Sequence, residues 1–243
     1  KEVDFQINPK KYFRELVSCI NCGHWYAVHK LNLQNLYSGT YNKMNYKNKI
    51  HNSFLKIINL PKKKSDNYFR VNRINIIKKK YFNKKKNINL LDIGSGLGVF
   101  PYAIKKIGWN CVSVDPDINS VQHLISDLKI KTLHSNYYKI KYAKKFDFVT
   151  LNKVLEHVNN PIKFLQKTNK NLDNSGIIYL EVPDAEKASK YGKNREEFFI
   201  DHLHVFSKVS LKLMCKKAGF EILHISRIKE PSGKYTLYGF LKK

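Results

Sequence analysis

Three groups of residues in this chain of 243 have types and spacings that could do chemistry. The first is Leu91-Asp92-Ile93-Gly94-Ser95-Gly96-Leu97-Gly98, an apolar run that breaks into glycines. Glycines so spaced allow a tight turn and let a ligand approach the backbone. Asp115 ends the next apolar run, where an acid can accept hydrogen bonds from both hydroxyls of a ribose. Asn136 follows a third run, where a polar side chain can meet an adenine amino group. The second group is His157, His202 and His204, imidazoles able to take a proton near neutral pH. The third is Cys19-Ile20-Asn21-Cys22-Gly23-His24, a knuckle offering two thiolates to zinc. A closed zinc site needs four ligands, and His24 and His29 are the nearest candidates for the rest.

These residues need elements to hold them. Short apolar runs at 88–93, 110–114, 130–134, 146–151 and 177–182 read as buried strands. Helical patterns at 97–107, 118–128 and 161–172 lie between them, the last opening with Pro161. A helix is also expected around 67–77. Another at 208–218 is stopped by Gly219. Strands 220–228 and 235–241 follow, joined by a turn through Pro231-Ser232-Gly233. Strands alternating with helices predict an α/β, doubly wound parallel sheet. A closing pair joined only by a turn predicts one antiparallel member, at the sheet edge.

With 42% hydrophobic and 13% aromatic residues, the chain can bury a large core. No apolar run approaches the ~20 residues that span a bilayer, so membrane insertion is not expected. Four cysteines, Cys19, Cys22, Cys111 and Cys215, are too few and too unevenly placed for a disulfide scaffold. A reducing, cytoplasmic setting is therefore expected. The formal net charge is +26, carried mostly by lysines scattered over the whole length. Lys, Asn, Ile and Tyr are over-used together, as AT-rich codons would produce. The charge thus reads as compositional and not as a nucleic-acid surface. An acidic acceptor, such as a nucleotide-linked sugar, would still profit from it.

A glycine turn alone does not separate NAD, FAD and S-adenosylmethionine sites. Asp92 does more, because a carboxylate directly before the glycines would crowd a pyrophosphate but can serve an amino-acid ammonium. Residues 91–100, Val114-Asp115-Pro116, and Asn152-Lys153-Val154-Leu155-Glu156-His157-Val158 resemble successive motifs of class I S-adenosylmethionine-dependent methyltransferases, in the small-molecule branch. Asp201-His202-Leu203-His204-Val205-Phe206-Ser207 running into Ala218-Gly219-Phe220 is similar to the same branch. The resemblance covers about residues 67–241. It implies a Rossmann-like, seven-stranded, mostly parallel sheet with an antiparallel last strand and helices on both faces. It implies S-adenosylmethionine as cofactor, held by Asp92, Gly94, Ser95, Gly96, Asp115, Pro116, Asn136 and Asn152.

Residues 1–60 form a separate N-terminal extension in this reading, and residues 61–243 the methyltransferase domain. The extension is similar to the start of sugar C-methyltransferases, where Tyr37 and Tyr41 would cap the cofactor. Those enzymes carry two Cys pairs, and this chain has the later one, Cys19 and Cys22, as its zinc candidates. They also carry Tyr and His just before the acid–His pair, where this chain has Phe199 and Ile200. The acceptor is therefore left as a small molecule, a sugar or lipid precursor among others, for O-, N- or C-methylation. His202 is the first choice of base, with His157 and His204 beside it. Three other readings compete: an RNA methyltransferase, a catalytically inactive binding protein of the same fold, and an NAD-dependent dehydrogenase. The absence of an Asn-Pro-Pro-Tyr type motif after the fourth strand, the intact glycines with Asp115, and Asp92 argue against them in turn.

Overall fold

The structure, a computed structural model, describes residues 14–29, 50–140, 144–192 and 194–243. A hairpin comes first, β1 (Arg14–Ser18) and β2 (Trp25–His29), then helices α1 (Ile50–Ile58) and α2 (Asp66–Tyr81). The alternating region runs β3 (Asn89–Ile93), α3 (Val99–Lys106), β4 (Asn110–Asp115), α4 (Ile118–Ser126), β5 (Lys131–His134), β6 (Phe146–Asn152), α5 (Pro161–Thr168) and β7 (Leu172–Pro183). The short α6 (Ala185–Ala188) and β8 (His204–Val205) precede α7 (Lys208–Lys217), β9 (Glu221–Lys229) and β10 (Tyr235–Lys242).

Seven strands form one sheet in the order β5-β4-β3-β6-β7-β10-β9. The first five are parallel, and β10 runs antiparallel to both its neighbours. The expected sheet is present, with one difference of placement. The antiparallel strand lies one position inside the edge, and β9 is outermost. Burial gives the reason: β10 is buried at most positions, whereas β9 is largely half-exposed or exposed. The more apolar strand takes the place covered on both sides.

Side chains alternate across the sheet, so adjacent residues enter different cores. Leu90, Phe148, Ile177, Tyr179 and Phe240 pack with Val71 and Ile74 of α2 and Phe100 and Ile104 of α3. Leu91, Val149, Ile178, Leu180 and Leu241 pack with Phe164 and Leu165 of α5 and Leu211 and Met214 of α7. Helix α2 begins at Ser65, whose hydroxyl accepts from the Tyr68 N–H. It extends through Lys78–Lys80 in its last turn, where cations offset the partial negative charge of a helix end. Among the described residues, no helix is long and apolar enough to cross a membrane.

The hairpin joins β8 in a second, three-stranded sheet, β1-β2-β8. Trp25 meets Phe198 edge-on, and Arg14 donates to the Phe198 carbonyl at 2.8 Å. Ala185, Ala188, Phe198 and Val205 therefore pack between the hairpin's Leu16 and Trp25 and Tyr235 of the main sheet.

Candidate active site

Parallel strands β3, β4 and β6 end side by side, so the loops that leave them converge. The turn after β3 has Gly94, Gly96 and Gly98 at φ +74°, +50° and +72°. A Cβ on Gly94 would lie 2.7 Å from Val154, and one on Gly98 2.7 Å from Leu128. At these two glycines a larger residue would force a neighbouring side chain to shift. A Cβ on Gly96 would meet nothing within 4 Å. The middle of the turn therefore faces open space, as a cradle for a ligand must.

The Gly96 N–H donates to Asp115 Oδ2 at 2.8 Å, and the Asp117 N–H to Asp115 Oδ1 at 2.9 Å. Burial, with smaller effects from Asp117 and Asp92, pushes the Asp115 carboxyl up to about 6 against those two hydrogen bonds. Asp92 is buried beneath the turn and accepts from Thr150 Oγ1 at 2.7 Å and Asn152 Nδ2 at 3.2 Å. Burial raises its carboxyl to about 6 as well, opposed by those donors and by the Arg70 charge. Asn152 Oδ1 is buried with no partner among the described residues. Ser95 donates to the Asp92 carbonyl, and the Pro116 carbonyl accepts from His134 Nε2 at 3.0 Å. Asn136 is exposed, and its Oδ1 accepts from the Tyr138 N–H at 2.9 Å. Tyr37 and Tyr41 lie outside the described residues.

Sequence reasoning missed Arg70 and Arg73. Both reach from α2 to the fully buried Glu181 of β7, Arg70 Nη2 at 2.5 Å and Arg73 Nη2 at 2.8 Å. The Tyr179 hydroxyl donates to the same carboxylate. Burial alone would raise Glu181, but Arg70, with help from Lys153 and Arg73, holds it well below its usual range. The Nε of Arg70 is buried and has no partner among the described residues. An unused guanidinium donor whose charge acts on Asp92 suits the carboxylate of an amino acid. The one signal in the sequence was two arginines, three apart, on an otherwise lysine-rich helix. Lys153, at φ +59°, follows β6 in a left-handed conformation that costs a non-glycine residue ~1–2 kcal/mol. Its N–H donates to the Glu181 carbonyl at 3.0 Å.

Beyond Lys153 the chain makes a short turn, 155–157, that brings Glu156 and His157 against His202. His157 Nδ1 donates to the Asp201 carbonyl at 2.9 Å, and His202 Nδ1 to the Glu197 carbonyl at 2.8 Å. Those acceptors fix the Nδ1–H tautomer, which makes Nε2 the basic nitrogen of each ring. The rings stand 4.9 Å apart, edge to face. Burial lowers the His202 imidazole from its ordinary value, with His157 acting the same way and Asp201 opposing. Burial thus favours the neutral form of the His202 ring. Glu156 is fully buried, and neither carboxylate oxygen has a hydrogen-bond partner among the described residues. Glu156, His157 and His202 bring three donor atoms within 4.8 Å, a set that could hold a divalent cation.

His204 does not join this pair. It lies on β8, and its Nδ1 is 3.1 Å from His24 Nε2. That contact also takes His24 away from the cysteines. Cys19 and Cys22 do meet at the hairpin turn, where the Cys22 N–H, the Cys22 thiol and the Asn21 N–H lower the Cys19 thiol. No third His, Cys, Asp or Glu among the described residues completes their site. The expected zinc is therefore not supported by this donor set.

The strand order, the glycine turn and the loop after β6 together define a Rossmann-like methyltransferase fold. The chain matches the methyltransferase domain family over residues 68–225, and it belongs to that family. A ubiquinone biosynthesis O-methyltransferase from Pelagibacter ubique (strain HTCC1062) is 30% identical over 100 residues, 39% of this chain and 42% of that protein. The chain thus spans less than half of that relative's length. Among solved structures, the PH0226 protein from Pyrococcus horikoshii OT3 aligns with a TM-score of 0.56 at 18% identity, covering 76% of this chain and 92% of that one. The N-methyltransferase NodS from Bradyrhizobium japonicum WM9, in complex with S-adenosyl-L-homocysteine, aligns with a TM-score of 0.54 at 12% identity, covering 81% and 99%.

Proposed function

We propose that this chain transfers the methyl group of S-adenosylmethionine to a hydroxyl of a small-molecule acceptor. The observation that carries the reading is Gly96: open space lies where its Cβ would be, and its N–H rests on the buried Asp115. Asp115 would accept from the ribose hydroxyls. Asn152 Oδ1 and Arg70 Nε, both buried and unpartnered, would meet the ammonium and carboxylate of the methionyl end. Bound there, the donor supplies a methyl group activated by its sulfonium. The acceptor oxygen forms a bond to the methyl carbon as the carbon–sulfur bond breaks, which yields a methyl ether and S-adenosylhomocysteine. The hydroxyl proton goes to Nε2 of His202, with His157 beside it, and then to solvent. Alignment of the two reactants contributes most of the rate, and the base a further factor.

The name of the Pelagibacter relative supports a hydroxylated ring of the quinone-precursor type as acceptor. A nucleotide-linked sugar is the second class to try, since the chain carries +26. A second reading of the histidine pair follows from Glu156: its two unpartnered oxygens suit a divalent cation that would polarise the hydroxyl. His202→Ala should keep S-adenosylhomocysteine affinity within about twofold and lose at least ~100-fold in turnover on the best acceptor of a panel. Loss of turnover on chelation, restored by magnesium or zinc, selects the metal-assisted form. Absence of binding heat with S-adenosylhomocysteine overturns the reading.

A further inference from the structure

A second cluster of ligand atoms lies away from this site, where α1 packs against α4. His123, on α4, and Asp127, which caps its C-terminus, are one helical turn apart, and His123 Nδ1 is 2.6 Å from Asp127 Oδ2. From α1, His51 Nδ1 approaches the same oxygen at 3.5 Å. One ligand atom from each of the three residues lies within 4.8 Å of the others. We propose that His51, His123 and Asp127 form a binding site for a divalent transition-metal cation of the zinc class.

His123 and Asp127 already share a short hydrogen bond, and the distances around them can accommodate an ion. At 3.5 Å, His51 Nδ1 is too far from Asp127 for a good hydrogen bond. Tetrahedral zinc with bonds of 2.0–2.1 Å keeps its ligand atoms about 3.3 Å apart. The His51–Asp127 separation is already close to that value, and the His123–Asp127 pair has only to open by a fraction of an ångström. Two imidazoles and one carboxylate are also the ligand types zinc takes when a fourth position is left to water.

Access and rigidity are divided among the three. His123 has 4% of its side chain exposed and rests edge-on against Phe54, so its ring is set before any ion arrives. His51 and Asp127 are about half exposed, which lets a hydrated ion in. General electrostatics do not gather cations here, because the chain carries +26 and Lys129 acts on Asp127. Occupancy would therefore depend on direct ligation, which favours zinc-like ions over calcium or magnesium.

An ion would tie α1 to the cofactor half of the fold. Helix α1 rests there through Phe54, which packs with Leu124, Leu128, Ile130 and Tyr102. It also receives the chain from residues 30–49, which include Tyr37 and Tyr41.

The test uses the full chain carrying Cys19→Ser and Cys22→Ser, titrated with zinc chloride by calorimetry in a buffer free of chelators. The cluster at Glu156 is present in every variant, so the comparison is of equivalents. Adding His51→Ala should remove one equivalent or weaken it at least about tenfold, and Asp127→Asn should do the same. Both positions are exposed enough for the variants to fold. Zinc should also slow amide exchange over residues 50–58, and His51→Ala should abolish that protection. Equal stoichiometry and affinity in the His51→Ala protein, or exchange over 50–58 that ignores zinc, overturns the proposal.

Discussion

Gly94 and Gly96 share a turn and a left-handed backbone, yet they answer to different demands. Gly94 has Val154 where a Cβ would go, and Gly96 has nothing. Gly94→Ala should therefore be destabilising through both backbone and clash. Gly96→Ala should cost only the backbone term, about 1 kcal/mol, and leave a folded protein. The added methyl should instead occupy ligand space, so Gly96→Ala should lose S-adenosylhomocysteine binding at least tenfold. Urea unfolding and calorimetry on the pair check both halves. A Gly96→Ala protein with normal binding would remove the central observation from the proposed function. The same contrast applies to Asp92 and Asp115, both buried strand-end acids raised to about 6. Only Asp115 touches the turn's own N–H; Asp92 is held by the neighbouring strand's Thr150 and by Asn152.

Several groups that hold the β1–β2 hairpin titrate, with His24, His29 and His204 all lowered by burial, and His24 is shifted far enough to carry a value. His24 sits between His204 and Ser210, 3.1 and 3.3 Å away, with Phe206 against its ring. Burial, and then His204, lowers its imidazole to about 4 from 6.5. A histidine depressed in the folded state contributes stability that is present above its unfolded value and lost as pH falls through its folded value. The hairpin should therefore loosen between pH 6.5 and 4, at a cost of up to about 3 kcal/mol. Hydrogen exchange of residues 14–29 should quicken over that window before the main sheet responds. His24→Phe should reduce the pH dependence and leave the part that His29 and His204 carry; a hairpin equally protected at pH 4.5 and 7.5 in the unaltered protein contradicts the assignment. Release would reach the candidate site, because the Ala27 N–H donates to the Leu203 carbonyl and the Leu203 N–H to that of Glu156.

Charge acts on the molecule as a whole. With 45 basic and 19 acidic residues, the folded chain repels itself. The pairing of Glu181 with Arg70 and Arg73 is buried and little affected by salt. Raising sodium chloride from about 0.01 to about 0.15 M shortens the screening length from about 30 to about 8 Å. Repulsion should weaken more than attraction, so the melting temperature should rise. Calorimetric scans at the two salt concentrations measure this, and a fall would mean that exposed ion pairs outweigh self-repulsion.

Much of this protein was written locally in its sequence. Residues 88–93, 110–114 and 146–151 are apolar because strands covered by helices on both faces need apolar residues in succession, so they could be read directly. Gly94, Gly96 and Asp115 could be read as well, since their roles depend on backbone conformation and strand ends. Partnerships between distant residues could not be read, because no local pattern encodes which side chains meet. Only the folded chain joins Arg70 to Glu181, sets Glu156 and His157 against His202, and turns His204 and His24 towards each other. The position of β10 inside β9 was likewise decided by competition for buried places in the sheet, which exists only once the sheet has formed.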